Sequence, residues 1–145
     1  MIGYQVLEQA VKERVIAVFE LNESLCQKGD VDALFQALQQ TNSPLGFLLE
    51  YGGGQRLQES PFSGKSWQWN MTGFALVRFD GDPAKIEVDA RQIVDKVITI
   101  FDDKHTLGGL AAIAKVMSID EPIPSTVNDV PFYWIPFLID IMEKI

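Results

Sequence analysis

The sequence predicts an α+β domain in which a four-stranded, mainly antiparallel sheet packs against amphipathic helices as a single-domain sandwich. Three observations carry that prediction. Residues 130–145 alternate as one long strand, with Tyr133, Ile135, Phe137, Ile139 and Ile141 on one side and Phe132, Trp134, Pro136, Leu138, Asp140 and Met142 on the other. Other segments repeat their apolar residues at the helical period instead. The helices are grouped around paired strands rather than alternating strictly with them, which is the order of an α+β layer arrangement. The terminal strand is apolar on both sides near Val130 and amphipathic near Lys144, so one end is expected to be covered twice, by this chain or by another copy.

The first element is a helix over about residues 4–21, because Leu7, Ala10, Val11, Val15, Val18 and Phe19 form one stripe while Glu8, Lys12, Glu13 and Glu20 lie elsewhere. A shorter helix follows Gly29: Asp30 is a capping residue, and Val31, Leu34, Phe35 and Leu38 keep helical spacing until Asn42, Ser43 and Pro44 break it. Residues 45–51 and 67–79 read as strands that pair antiparallel across a long connection at about 52–66. Asp80-Gly81-Asp82-Pro83 is a turn with a cap at Asp82 and proline at the first helical position. The helix it opens carries Ile86, Ala90, Ile93, Val94, Val97 and Phe101 on one face. Arg91 and Asp95 on another face are spaced for an i,i+4 pair, and Asp102 and Asp103 end the helix near Phe101 by opposing its dipole. Gly108-Gly109 marks a loop, residues 113–119 alternate as a strand, and Pro122, Pro124, Asn128 and Asp129 bound a turn before the last strand.

A chain of 145 residues, 47% hydrophobic, is long enough for one core and short for two. The net charge of −8, with basic residues scattered, argues against a protein that tracks nucleic-acid phosphates. An acidic surface instead keeps a protein soluble, binds a basic partner, or lines a passage through which DNA slides without sticking. Cys26 is the only cysteine and is expected as a small buried hydrophobe, with no intrachain disulfide or cysteine-rich zinc site. No stretch approaches the roughly 18 apolar residues of a membrane span, and residues 1–12 lack the pattern of a signal peptide, so synthesis and use in the cytoplasm are expected.

No catalytic, cofactor-binding or metal-binding constellation is expected. Gly52-Gly53-Gly54 follows a strand as a phosphate loop would, but no Gly-Lys-Ser/Thr comes at the required spacing; Gly64-Lys65-Ser66 has that tripeptide yet runs into a strand. His105, the only histidine, lies in a polar turn and would have to serve alone as the base of any serine or cysteine chemistry. Asp80, Asp82 and Asp89 match no calcium loop. The adjacent acids Asp120 and Glu121, or Asp102 and Asp103, have no apolar pocket to separate their pKa values.

Two features point to assembly. The connection at 52–66 is far longer than most strand-to-strand loops. Ordering it costs roughly 1–2 kcal/mol per residue, which a neighbouring subunit could offset. Leu57, Pro61 and Phe62 would anchor such a contact, and Arg56 and Lys65 would reach acidic neighbours; the alternative is a mobile surface loop. The aromatic group Trp67, Trp69, Phe132, Tyr133 and Trp134 is either core or subunit contact, where such residues are each worth about 2 kcal/mol or more. The candidate interface is therefore Arg56, Leu57, Phe62, Lys65, Trp67, Trp69 and Trp134.

The leading amphipathic helix, the paired strands with a long loop, the segment Gly73-Phe74-Ala75-Leu76-Val77-Arg78-Phe79 leading to the helix at 86–101, and the closing strand at 132–141 resemble the tail terminator and neck proteins of long-tailed bacteriophages. That resemblance covers most of the chain. It implies a non-enzymatic virion protein, assembled in the host cytoplasm, that forms a ring of six subunits on the tail tube and joins it to the head-side connector. Each subunit would meet the next through a heterologous contact that closes by rotation. DNA would pass the acidic inner wall without sequence-specific binding. A small acidic binding protein, such as an immunity protein or antitoxin that neutralises a basic partner, fits the charge equally well. An enzyme with a site shared between subunits is the least expected class.

Overall fold

The computed structural model describes residues 3–57, 66–78, 82–101, 112–127 and 129–144. Among them are the helices α1 (Tyr4–Phe19), α2 (Val31–Thr41) and α3 (Pro83–Ile98), with a short 3-10 turn at Glu23–Leu25. The strands are β1 (Cys26–Lys28), β2 (Leu45–Leu57), β3 (Ser66–Arg78), β4 (Ala112–Ile119), β5 (Ile123–Val127) and β6 (Val130–Lys144). They form one sheet in the order β1-β2-β3-β6-β4, and β5 lies on the same side of β6 as β4, further along it. Every pairing is antiparallel except β1 on β2.

The α+β class is as expected, but the sheet has six strands rather than four. Neither extra strand has a readable period. β1 is three residues long, and β5 contains Pro124, whose missing N–H is tolerated because the strand runs along an edge. The segment expected as a turn is thus strand from Ile123 to Val127, and Asp129, at φ 63°, turns it into β6. The long loop at 52–66 is corrected likewise. β2 continues through its glycines to Leu57 and β3 begins at Ser66, with a bulge between Tyr51 and Gly54 where Gly53 takes φ 102°. Phe62 and Lys65, like Pro61, lie outside the described residues.

β3 and β6 pair over their whole length, Ser66 opposite Lys144 and Arg78 opposite Phe132, and form the spine of the sheet. Gly73 faces Phe137 in this register, and a side chain there would run into the Phe137 ring. On one face of the spine, Leu7, Val11 and Val15 of α1 and Ile93 and Val97 of α3 pack on Phe47, Leu49, Met71, Ala75, Ile135, Phe137, Ile139 and Ile141. Each of these side chains larger than Ala75 contributes roughly 1.5–3 kcal/mol on burial. On the other face, α2 sets Leu34, Ala37 and Leu38 on Leu48, Leu76 and Phe132. The doubly apolar end of β6 is therefore covered twice by this chain, and the amphipathic end only once.

The helix boundaries follow local chemistry. Asp30 accepts from the Ala33 N–H at 3.0 Å, and Asn42, at φ 50°, ends α2. Asp82 caps α3 as expected, accepting from the Ala84 N–H at 3.1 Å. That helix stops at Ile98, three residues before the expected end, and turns on through Phe101, with the Thr99 N–H bonded to the Lys96 carbonyl at 3.0 Å. Arg91 pairs with Glu87 at 2.6 Å rather than with Asp95, because a glutamate four residues before a cation is the better orientation on a helix. The Arg14 side chain links α1 to the turn after α3, donating to the Ile100 carbonyl through Nε at 3.1 Å and Nη2 at 2.9 Å.

Candidate functional site

The end of the sheet that α2 leaves uncovered is where the predicted contact residues gather. Register places Tyr51 opposite Met71, Gly54 opposite Trp69 and Arg56 opposite Trp67, so all of these point to the α1 side. A Cβ on Gly54 would come within 2.5 Å of both the Trp67 Nε1 and the Trp69 ring, so the glycine run is the space in which the indoles lie, not a phosphate cradle. The two indoles are 5.6 Å apart between centroids. Trp69 tilts against Tyr4 at 5.4 Å and Tyr51 at 6.3 Å, and Tyr4 meets Tyr51 edge to face at 4.8 Å.

Glu143 organises this aromatic group from below. It sits on the apolar face of β6, two residues beyond Ile141, and is 0% exposed. One carboxylate oxygen accepts from the Trp69 indole N–H at 3.0 Å; the other accepts from the backbone N–H of Gly3 at 3.0 Å, just before α1. The start of the first helix, the central strand and the last strand are thus tied by one side chain. α1 has no side-chain cap of its own, so this is its anchor.

Two buried polar atoms at this end make no hydrogen bond: the Ser66 hydroxyl and the Trp67 indole nitrogen. Burial, and then the nearby Glu8 charge, hold the Tyr4 phenol well above its ordinary ionisation range. Beside the rings runs an open groove of about 540 Å³ lined by Tyr4, Gln5, Glu8, Lys28, Gly29, Leu49, Tyr51 and Trp69. The Tyr51 side chain is 61% exposed in it. On the opposite face of the same strands, Gln55 donates to Gln68 at 2.8 Å and Gln68 to Asp140 at 2.6 Å, a polar rung across β2, β3 and β6.

Of the predicted contact residues, Arg56, Trp67 and Trp69 share this surface, and Leu57 is half-buried at the end of β2. The tryptophans are half-buried rather than projecting. Trp134 does not belong with them. It lies on the other face at the other end of β6, packed edge-on against Phe35 at 6.0 Å and Phe74 at 5.7 Å, because β6 is long enough to separate the two clusters. Phe132 is buried there as well, whereas Tyr133 faces α3 across a groove of about 450 Å³ shared with Ala90, Val94 and Pro122. Tyr4, Tyr51 and Glu143 were not among the predicted residues. The one sequence signal for them was an acid at the next core-side position after Ile139 and Ile141.

Cys26 is buried as expected. Burial pushes its thiol up to about 12, and Lys12 and Lys28 nearby only partly offset this. His105, Asp80, Asp102 and Asp103 lie outside the described residues, and Asp120 and Glu121 are exposed. No group of three or more His, Cys, Asp or Glu among the described residues is placed to hold a metal ion. No described helix is long and apolar enough to cross a membrane. In comparisons with known proteins, no family model matches the chain, and no curated sequence matches it significantly.

Proposed function

We propose that this chain is a structural subunit that works by assembly rather than by catalysis, forming a ring of six that caps a phage tail tube and joins it to the head-side connector. The observation that carries the proposal is the aromatic end of the β2–β3 pair, where exposed Tyr51 and Arg56 stand beside Trp67 and Trp69 on a surface braced by Glu143. Large aromatics and arginine on a rigid support are the residue types that dominate subunit contacts. The element order that resembles tail terminator and neck proteins supports the particular assembly. In that setting the protein belongs to the virion, is built in the host cytoplasm, and presents acidic residues to DNA that passes without sequence-specific binding.

The test is the mass of the purified protein over a concentration series, by light scattering after size exclusion, with imaging of any large species. A species near six times 16.2 kDa is expected, and Arg56→Glu should dissolve it. A strict monomer, both alone and with tail-tube protein, would refute the ring. The charge of −8 favours a second reading, a monomeric neutraliser of a basic partner, which predicts that outcome together with a salt-sensitive one-to-one complex.

A further inference from the structure

The sheet has two bare edges that match. β1 covers β2 only from Phe47 to Leu49, which leaves β2 without an outer neighbour from Glu50 to Leu57. Among the described residues no strand pairs with the outer side of β4, Ala112–Ile119. The two stretches are equal in length and lie at the same end of the sheet: Arg56, Trp67, Glu143 and Ala112 share one rung, and Gln55, Gln68, Met142 and Ile113 share the next. Along this section β2, β3, β6 and β4 alternate in direction, so the β2 edge of a second copy laid beside β4 continues the sheet antiparallel and level. A bare edge is a row of backbone donors and acceptors open to such pairing, and charges or bulges normally discourage it. Both edges here have a bulge, and both bulges adjoin one rung, that of Tyr51, Met71, Ile139 and Val116, so they interrupt the edges at the same level. Each edge also carries one exposed charge on the face that holds α2, and the two are of opposite sign, Glu50 and Lys115. Neither makes an ion pair or side-chain hydrogen bond among the described residues, and Asp140, across from Lys115, accepts from Gln68 instead. Glu50 lies on the rung of Thr72, Leu138 and Ser118, so in a level continuation it stands opposite Ser118 and diagonal to Lys115, a favourable cross-strand placement.

We propose that the bare edge of β4 pairs antiparallel with the bare Glu50–Leu57 edge of β2 in a second copy of this chain, carrying one sheet across the subunit boundary with Lys115 beside Glu50. The two edges are different surfaces, so the contact is heterologous, as a ring requires. It rests on the self-assembly reading, though not on the number six, and it names what the strand bearing Tyr51 and Arg56 would meet. The test is disulfide crosslinking of the full chain in a Cys26→Ala background. Ile113→Cys and Gln55→Cys are placed together in one chain, where three strand spacings of about 4.8 Å hold them at about twice the reach of a disulfide, so any bond joins two copies. Mild oxidation should give a ladder of linked species from this double variant and at least tenfold less from either single variant. Lys115→Glu and Glu50→Lys should each reduce the ladder at least fivefold, and the two together should restore it. Should the cysteine pair fail to fold, the three charge variants followed by light scattering still decide. Dimers from Ile113→Cys alone in comparable yield would mean that like edges meet, and would overturn the proposal. Six-subunit species without a ladder, or charge reversals without effect, would overturn the edge pairing and leave the ring standing. A ladder from open chains would support the pairing and refute the ring of six. A monomer both alone and with tail-tube protein would end both.

Discussion

Replacing Glu143 with alanine should be among the most damaging single changes in this chain. The carboxylate is wholly buried and accepts from the Trp69 indole and the Gly3 N–H, each at 3.0 Å. A hydrogen bond to a charged acceptor is worth about 1.5–3 kcal/mol, and truncation also takes from both donors the acceptor they meet in the folded chain. The two bonds share one acceptor group and do not add fully, so the expected loss is about 3–5 kcal/mol. Against a total stability of roughly 7–20 kcal/mol for a domain of this size, that is a large share. Urea unfolding followed by far-ultraviolet circular dichroism would measure it, and Glu143→Gln, which keeps one acceptor oxygen, should lose about half as much. Combining Glu143→Ala with Trp69→Phe isolates the indole bond, and the coupling should be about 1–2 kcal/mol. A Glu143→Ala protein within ~0.5 kcal/mol of the parent, the range of ordinary surface changes, would refute the anchoring role, as would a coupling of zero.

Further outcomes follow from other contacts. Gly73→Val should destabilise by about 1–3 kcal/mol, because its side chain enters the space of the Phe137 ring, and Phe137→Leu in the same chain should recover part of the loss in the same urea experiment. Asp30→Ala removes the acceptor for the Ala33 N–H and should cost about 1 kcal/mol, whereas Asp30→Asn should cost a few tenths. The Cys26 thiol, raised from 9.0 to about 12 in the folded protein, should not react with a disulfide reagent at pH 8 until urea is added. Because the folded state holds that proton more tightly, the stabilisation is complete below about pH 9 and falls by roughly 1.4 kcal/mol per pH unit between pH 9 and 12, a slope that Cys26→Ala should reduce. Tyr4 adds a loss of the same sign at high pH, since its phenol is also raised, so Cys26→Ala alone should not flatten the profile completely.

Much of the fold was legible in the sequence, since the three helices and the long strands carry patterns set by neighbours three, four or two residues away. Leu7, Val11 and Val15 lie on one helical stripe, and Ile135 to Ile141 alternate on β6, so periodicity was enough to place them. Asp30 and Asp82 act within their own helices and were readable as caps for the same reason. The glycine run was misread because a Gly-rich segment after an apolar strand resembles a loop. Only the indoles lying over Gly54 and the bulge at Gly53 explain why those residues stay in the sheet. Part of the candidate site was legible as well: Trp67, Trp69 and Arg56 were expected at a contact and share one surface, while Trp134 was assigned to it only because sequence distance does not show which end of a long strand a side chain occupies.

By itself, then, the sequence determined that this is an α+β chain with amphipathic helices, a doubly apolar start to its last strand, an acidic surface and a buried, lone cysteine. Those properties depend on composition and on periods of two and 3.6 residues, which any segment reports locally. The tertiary structure alone decided that α2 covers the second face, that short β1 and proline-bearing β5 join the sheet at its edges, and that Tyr4, Tyr51, Trp69 and Glu143 meet at one end. Glu143 and Gly3 are 140 positions apart, and nothing in the neighbourhood of either residue names the other. Their hydrogen bond exists because β6 runs antiparallel beside β3 and carries its last core-facing acid under the start of α1, a consequence of strand pairing rather than of local preference.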